Sequence, residues 1–173
     1  MFEQIAVVNE VDLWKRWIPF CSISDLIVKT GHAELLAFIK TSAPFMSRDT
    51  ALHAYGVDCL TEKNLILLMA RSVLTFPGYT LPYEAPTWTH NRVDIKNWKT
   101  LIEVKSPVEA KMTMIMTIDL NCPLPNWLIN FVVRNVAGVL LHCLQKQVRI
   151  TVDDPLYMYG QRIRQNKEFY TNW

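Results

Sequence analysis

From Val108 to Leu120 the chain alternates. Val108, Ala110, Met112, Met114, Met116, Ile118 and Leu120 are apolar, and every intervening position except Ile115 is polar or charged. Side chains of a strand point to opposite faces in turn, so this pattern predicts a strand with one buried face. After "NCPLP" the period changes. Leu128, Val132, Val136, Val139 and Cys143 fall on one helical stripe, with Asn126, Asn130, Arg134, His142 and Gln145 largely elsewhere. A helix of about 24 residues, roughly 36 Å long at ~1.5 Å per residue, would span a whole sheet.

The rest of the chain reads as shorter elements. Phe2–Val8 predicts a short helix, and Pro19 ends the "VDLWKRWIP" turn that carries Trp14 and Trp17. Ser22–Thr30 and His32–Lys40 flank Gly31 as a hairpin, and "TSAPFMSRD" follows as a loop with an apolar tip. A further run covers Thr50–Val57. Asn64–Phe76 is apolar on both alternating faces, which predicts a strand covered on both sides. Prolines 77, 82 and 86 mark an irregular loop, and Arg92–Lys105 resumes as a strand carrying Trp98. The reading is α+β: an antiparallel sheet gripping a long C-terminal helix. Residues 1–150 are expected to form this domain, and 151–173 an aromatic, basic tail continuing as a short helix.

Composition narrows function mainly by exclusion. At 173 residues, one domain can bury roughly 70% of its unfolded surface. The 18 basic residues are nearly matched by 16 acidic ones and are scattered, which argues against nucleic acid as a partner. Cys21, Cys59, Cys122 and Cys143 are far apart, without the paired spacing of a zinc or redox site, so neither metal nor cofactor is expected. Segment 124–144 is too rich in Asn, Arg and His to span a membrane, and no signal peptide is visible. A soluble intracellular protein is expected.

A catalytic constellation is equally hard to find. His142 and Cys143 are neighbours on a helix and project about 100° apart, so they cannot act as base and nucleophile. Asp153 and Asp154 precede a proline and read as a solvated turn. No HExxH, GxSxG, GxGxxG or phosphate-loop sequence occurs. Arg48 and Asp49 read as an ion pair at a strand start, or as groups meeting a polar headgroup. The methionines at 69, 112, 114 and 116 suit either an adaptable cavity or an ordinary core.

Several motifs, taken in order, resemble one family. "TIDLNCPLPNWLIN" is similar to the junction between the last strand and last helix of START lipid-transfer domains. "SAPFMSRDTAL", with Pro44, Arg48 and Asp49, "ARSVLTFP", and "DLWKRWIPF", with Trp17 as the corner tryptophan, resemble further family motifs in family order from Asp12 to Asn130. The resemblance implies a helix-grip fold around an apolar tunnel holding one lipid, carried or presented between membranes without catalysis. It implies a lipid ligand and a transient membrane surface as partners, and a cytoplasmic, transiently membrane-associated protein.

The chain departs from the family in three places. It starts near the corner tryptophan, without the helix and strands that usually precede it, so strand 108–120 would lack its family neighbour. Trp14 and Ile18 stand where the phosphatidylcholine-binding branch has its Arg and Asp. Leu35 and Ala54 stand where the sterol-binding branch has its polar pair. The lipid class is left open by these losses. The expected lipid-binding residues are Trp14, Trp17, Ile18, Leu35, Arg48, Asp49, His53, Met69, Arg71, Met112, Met114, Met116, Trp127, Leu128, Phe131, Val132 and Val136, with Pro44, Phe45 and Met46 as a gate. Two other readings stay open: a regulatory or scaffolding module without transfer, and a cyclase-type enzyme on the same fold.

Overall fold

The computed structural model describes residues 2–43, 46–84, 90–106, 109–121 and 125–171. A short helix α1 (Phe2–Asn9) leads into a 3-10 turn (Val11–Arg16) and a sheet of seven strands: β1 (Cys21–Gly31), β2 (Glu34–Ala43), β3 (Met46–Cys59), β4 (Leu65–Ser72), β5 (His90–Arg92), β6 (Asp94–Ser106) and β7 (Glu109–Asp119). A single helical turn, α2 (Leu60–Lys63), links β3 to β4, and the chain ends in α3 (Asn126–Asp153), α4 (Met158–Gln165) and α5 (Lys167–Thr171). The strands pair in the order β1-β2-β3-β4-β6-β7, all antiparallel, while β5 lies parallel to the start of β3. The expected α+β architecture, an antiparallel sheet with a long C-terminal helix, is therefore present.

Register assigns the faces. Met112 sits opposite Ile102, Met114 opposite Thr100 and Met116 opposite Trp98, so the even positions of β7 share the inner face with the even positions of β6. Ile5, Ala6 and Val7 of α1 are buried against that face, packed with Ile66, Ile102, Leu144, Val148, Tyr159 and Tyr170. The described part of the C-terminal tail, 151–171, is thus built into the core: α3 runs on to Asp153, and Tyr159 and Tyr170 are fully buried. Gly160 is required here, because a Cβ at that position would collide with the backbone of Pro155.

The outer face carries a second layer that the expected loop only hinted at. Leu36, Phe38 and Ala51 are buried, and Tyr83 reaches over them, accepting from the Ala51 amide (2.9 Å) and donating to the Val73 carbonyl (2.6 Å). β4 is shorter than the apolar run suggested and has one fully buried residue, Ile66; the others are partly covered or exposed. The loop expected over 41–49 is mostly ladder: Thr41 pairs with Arg48, and Ala43 with Met46.

Candidate functional site

The 3-10 turn is short because Pro19 cannot continue it, and Phe20 then turns the chain into β1 with a φ of 62°. That turn points Trp14 and Trp17 inward. Trp14 donates its indole N–H to the Val7 carbonyl (3.0 Å), and Trp17 donates to the Tyr159 hydroxyl (2.7 Å). Trp98 on β6 donates to Thr100 Oγ1 (3.0 Å) and lies 5.8 Å from the Trp14 ring centroid. With each N–H satisfied at its edge, the three indoles present apolar surface to the interior.

These rings bound a cavity of about 520 Å³ between the inner face and α3. Its floor is Met114, Met116 and Ile118; Val7, Val8, Trp14, Trp17, Ile18 and Trp98 form one side; and Asn130, Ala137, Leu140, Leu141 and Leu144 of α3 form the roof, with Thr117 at the margin. Among the described residues no lining side chain is ionisable. A smaller cavity of about 60 Å³ shares Val8, Trp14 and Trp98, and extends under Leu35, Leu52 and Met69.

Among the described residues of α3 the cavity is lined by Asn130, Ala137, Leu140, Leu141 and Leu144, and not by Val136, Val139 or Cys143 of the expected stripe. The C-terminal half of the helix sets this rotation. Gln147 and Thr151 are buried there, Thr151 Oγ1 donates to the Gln147 carbonyl (2.9 Å), and Leu144 and Val148 pack on the α1 core. A rigid helix must then present the same side further up. Val136 is thereby corrected to an outward position.

Other expected residues separate between the two faces. Trp14, Trp17, Ile18, Met114 and Met116 line the large cavity; Leu35 and Met69 line the small one; Met112 packs into the core beside Ile102. Arg48 and Asp49 are adjacent on a strand and so face opposite ways. Arg48 donates to the carbonyls of Leu120 (3.2 Å) and Ser47 (2.8 Å), tying β3 to the end of β7. Asp49 is buried, 3.7 Å from Arg92, whose guanidinium lies 4.0 Å from the Tyr83 ring. The expected ion pair between Arg48 and Asp49 is replaced by these partners.

His53 and Arg71 are cross-strand partners at odd positions, away from the inner face. His53 contacts Glu34 Oε1 at 2.6 Å and lies beside Phe76, so it belongs to the outer layer. That partner holds the Glu34 carboxyl below its ordinary range. Neither residue lines the cavity, which corrects their assignment to a headgroup. Trp127 is 71% exposed at the start of α3. The side chains of Leu128, Phe131, Val132 and Met46, and residues Pro44 and Phe45, lie outside what the structure describes. Among the described residues no group of side chains has the composition of a metal site.

Sequence reasoning missed Trp98, Val7, Val8, Ala137, Leu140, Leu141 and Leu144. A signal for the roof was present. Ala137, Leu140, Leu144, Val148 and Thr151 recur at helical spacing, a stripe that competes with the one chosen and that continues into the packed half of the helix.

Three solved structures share this architecture at low identity. Human STARD10 superposes with a TM-score of 0.74 at 15% identity, over 96% of this chain and 62% of that one. Human StAR-related lipid transfer protein 5 gives 0.66 at 17% identity, over 84% and 70%. The STAR-related lipid transfer protein from Xanthomonas axonopodis gives 0.65 at 20% identity, over 85% and 78%. This chain spans less than two thirds of the STARD10 structure. No protein-family model and no curated protein sequence matches it. With its antiparallel sheet, long closing helix and likeness to these structures, the chain has the helix-grip fold of START domains.

Proposed function

We propose that the domain holds one lipid in the cavity beneath α3 and carries or presents it between membranes, without catalysis. The observation that carries this reading is the lining: apolar side chains, three indoles with satisfied N–H groups and, among the described residues, no ionisable group. Ala137 and Leu141 of the roof are exposed, so the cavity opens to solvent beside α3. Ordered water is a poor match to its walls, because Thr117 and Asn130 supply the polar side chains among the described lining residues and an ordered water wants about three polar partners. An apolar molecule matches the lining, and about 520 Å³ lies within the ~300–1,000 Å³ of small-molecule sites.

The same lining weighs against a cyclase-type enzyme, which would need an acid or base facing its substrate. Two of the similar structures carry lipid transfer in their names, which is consistent with the reading. Loop 44–46 is proposed as the gate, and exposed Trp127 as an apolar residue for transient contact with a membrane. No helix among the described residues is long and apolar enough to cross a membrane. On this reading the protein works in the cytoplasm and meets membranes from outside. One observation favours a second reading, a lipid-sensing module that does not transfer: α1 is buried inside the grip and occupies part of the interior.

Met114→Trp tests the proposal. In a solid core the larger side chain would overpack and cost about 1–3 kcal/mol. In a ligand cavity the indole takes ligand volume, so the unfolding midpoint should barely move while binding and transfer of fluorescent lipids fall sharply. A large loss of stability, with parent-level lipid binding in the folded fraction, would refute the cavity as the lipid site. Lipid bound but not passed between vesicles by the parent protein would select the sensing module.

A further inference from the structure

The cavity under α3 is apolar in its depth and polar at one end. Thr117 and Asn130, the polar side chains among its described lining residues, are both exposed, and they flank the same corner between β7 and α3. The indole N–H groups of Trp14, Trp17 and Trp98 are taken up by acceptors of the protein, so the interior keeps no strong donor for a ligand. The polar end of a bound lipid belongs on the open side, along the flank of α3.

Arg134 stands on that flank. Residues three and four apart on a helix are neighbours, and Arg134 comes four residues after Asn130, three before Ala137 and seven before Leu141. Those three residues all line the cavity and are all exposed. Long side chains on a helix lean toward its N-terminus, which directs the guanidinium over Asn130. Arg134 is exposed, and among the described residues it has no hydrogen-bond or ion-pair partner. The first acidic residue of α3 is Asp153, about five turns further on. Asp119, at the end of β7, is engaged by Lys96 (4.0 Å) and by the Asn121 amide (3.0 Å).

We propose that Arg134 and Asn130 hold the anionic end of the lipid, a carboxylate or a phosphate, at the mouth, while its tail runs inward past Met114, Met116 and Leu140. The inference rests on the reading that the cavity holds a lipid, and it names that lipid's polar end. A charge carried inside would find no partner among the described lining residues, which is costly; at the mouth it keeps its water and gains a guanidinium. The guanidinium can donate two parallel N–H groups to one carboxylate or phosphate, and the Asn130 amide adds a neutral donor.

Hexadecanol, hexadecanoate and hexadecyl phosphate share one chain and differ at the end, so they test the proposal. At mildly alkaline pH, where both acids are ionised, displacement of a fluorescent acyl probe from the purified protein should rank at least one anion about tenfold above the alcohol, and the two anions show which end the mouth prefers. Arg134→Gln should bring the anions down to about the level of the alcohol. Arg134→Lys should keep part of the preference, because it keeps the charge without the fork. Asn130→Leu should weaken all three ligands, since its amide can donate to a neutral or a charged oxygen. The unfolding midpoint should not move in Arg134→Gln, because the side chain is exposed and unpaired among the described residues. Anions that bind no better than the alcohol would overturn the assignment and leave a lipid in the cavity. So would a preference that survives Arg134→Gln while binding to vesicles of phosphatidylcholine and phosphatidylserine falls, which would move Arg134 to a membrane contact. Displacement by none of the three would overturn both this assignment and the reading on which it rests.

Discussion

Trp17 and Tyr159 are 142 residues apart and joined by one hydrogen bond, indole N–H to phenol oxygen at 2.7 Å. The bond fixes the corner that precedes the sheet to the short helix that follows α3. It also turns the polar edge of Trp17 away from the cavity that its ring lines. The C-terminal segment is thereby part of the cavity's support rather than an appendage.

Tyr159→Phe should therefore destabilise by about 1–3 kcal/mol, the cost of leaving a largely buried donor without its acceptor. Urea unfolding measures this. A shift below the experimental error would mean that water serves the indole as well as the phenol does.

Alkaline pH should act through the same region. Burial pushes the phenols of Tyr159 and Tyr170 well above the ordinary 10.0, and for Tyr170 the Glu10 carboxylate, bonded at 2.6 Å, adds to the rise. A folded-state value above the unfolded one means the stabilisation is full below about pH 10 and is lost as the pH rises from there toward the folded values. The unfolding midpoint should fall steeply above about pH 10, and Tyr170→Phe should flatten that fall. A parent profile level through this range would contradict the burial of both phenols.

The face of α3 can be read by paired substitutions. Leu140→Trp should abolish ligand binding with little loss of stability, since its side chain projects into the cavity. Val136→Trp, on the exposed side, should leave both binding and stability nearly unchanged, within about 0.5 kcal/mol. Binding assays with a fluorescent fatty acyl probe compare the two. The opposite pattern would restore the stripe through Val136 as the lining.

Legibility followed how locally each feature is determined. The strict alternation from Ala110 to Ile118 put Met114 and Met116 on the cavity floor because strand periodicity needs no partner to be read. The rotation of α3 was not legible in this way. Two apolar stripes compete on that helix, and the choice is made where Leu144 and Val148 pack on Ile5, Ala6 and Val7 of α1, contacts distant in sequence, with Gln147 and Thr151 buried beside them. Arg48 and Asp49 show the reverse case. The strand rule alone places them on opposite faces, yet their charges invited a pairing that the backbone forbids. His53 looked like a ligand group because nothing in the sequence announced that residues 73–84 would fold over the outer face and bring Phe76 beside it.

The central claim, that the cavity under α3 holds one lipid, is tested most directly by native mass spectrometry of the purified protein. The expected spectrum shows each chain carrying a single lipid-sized adduct, identified after extraction and absent from Leu140→Trp. A parent spectrum of the bare chain alone, unchanged after incubation with lipid vesicles, would contradict it.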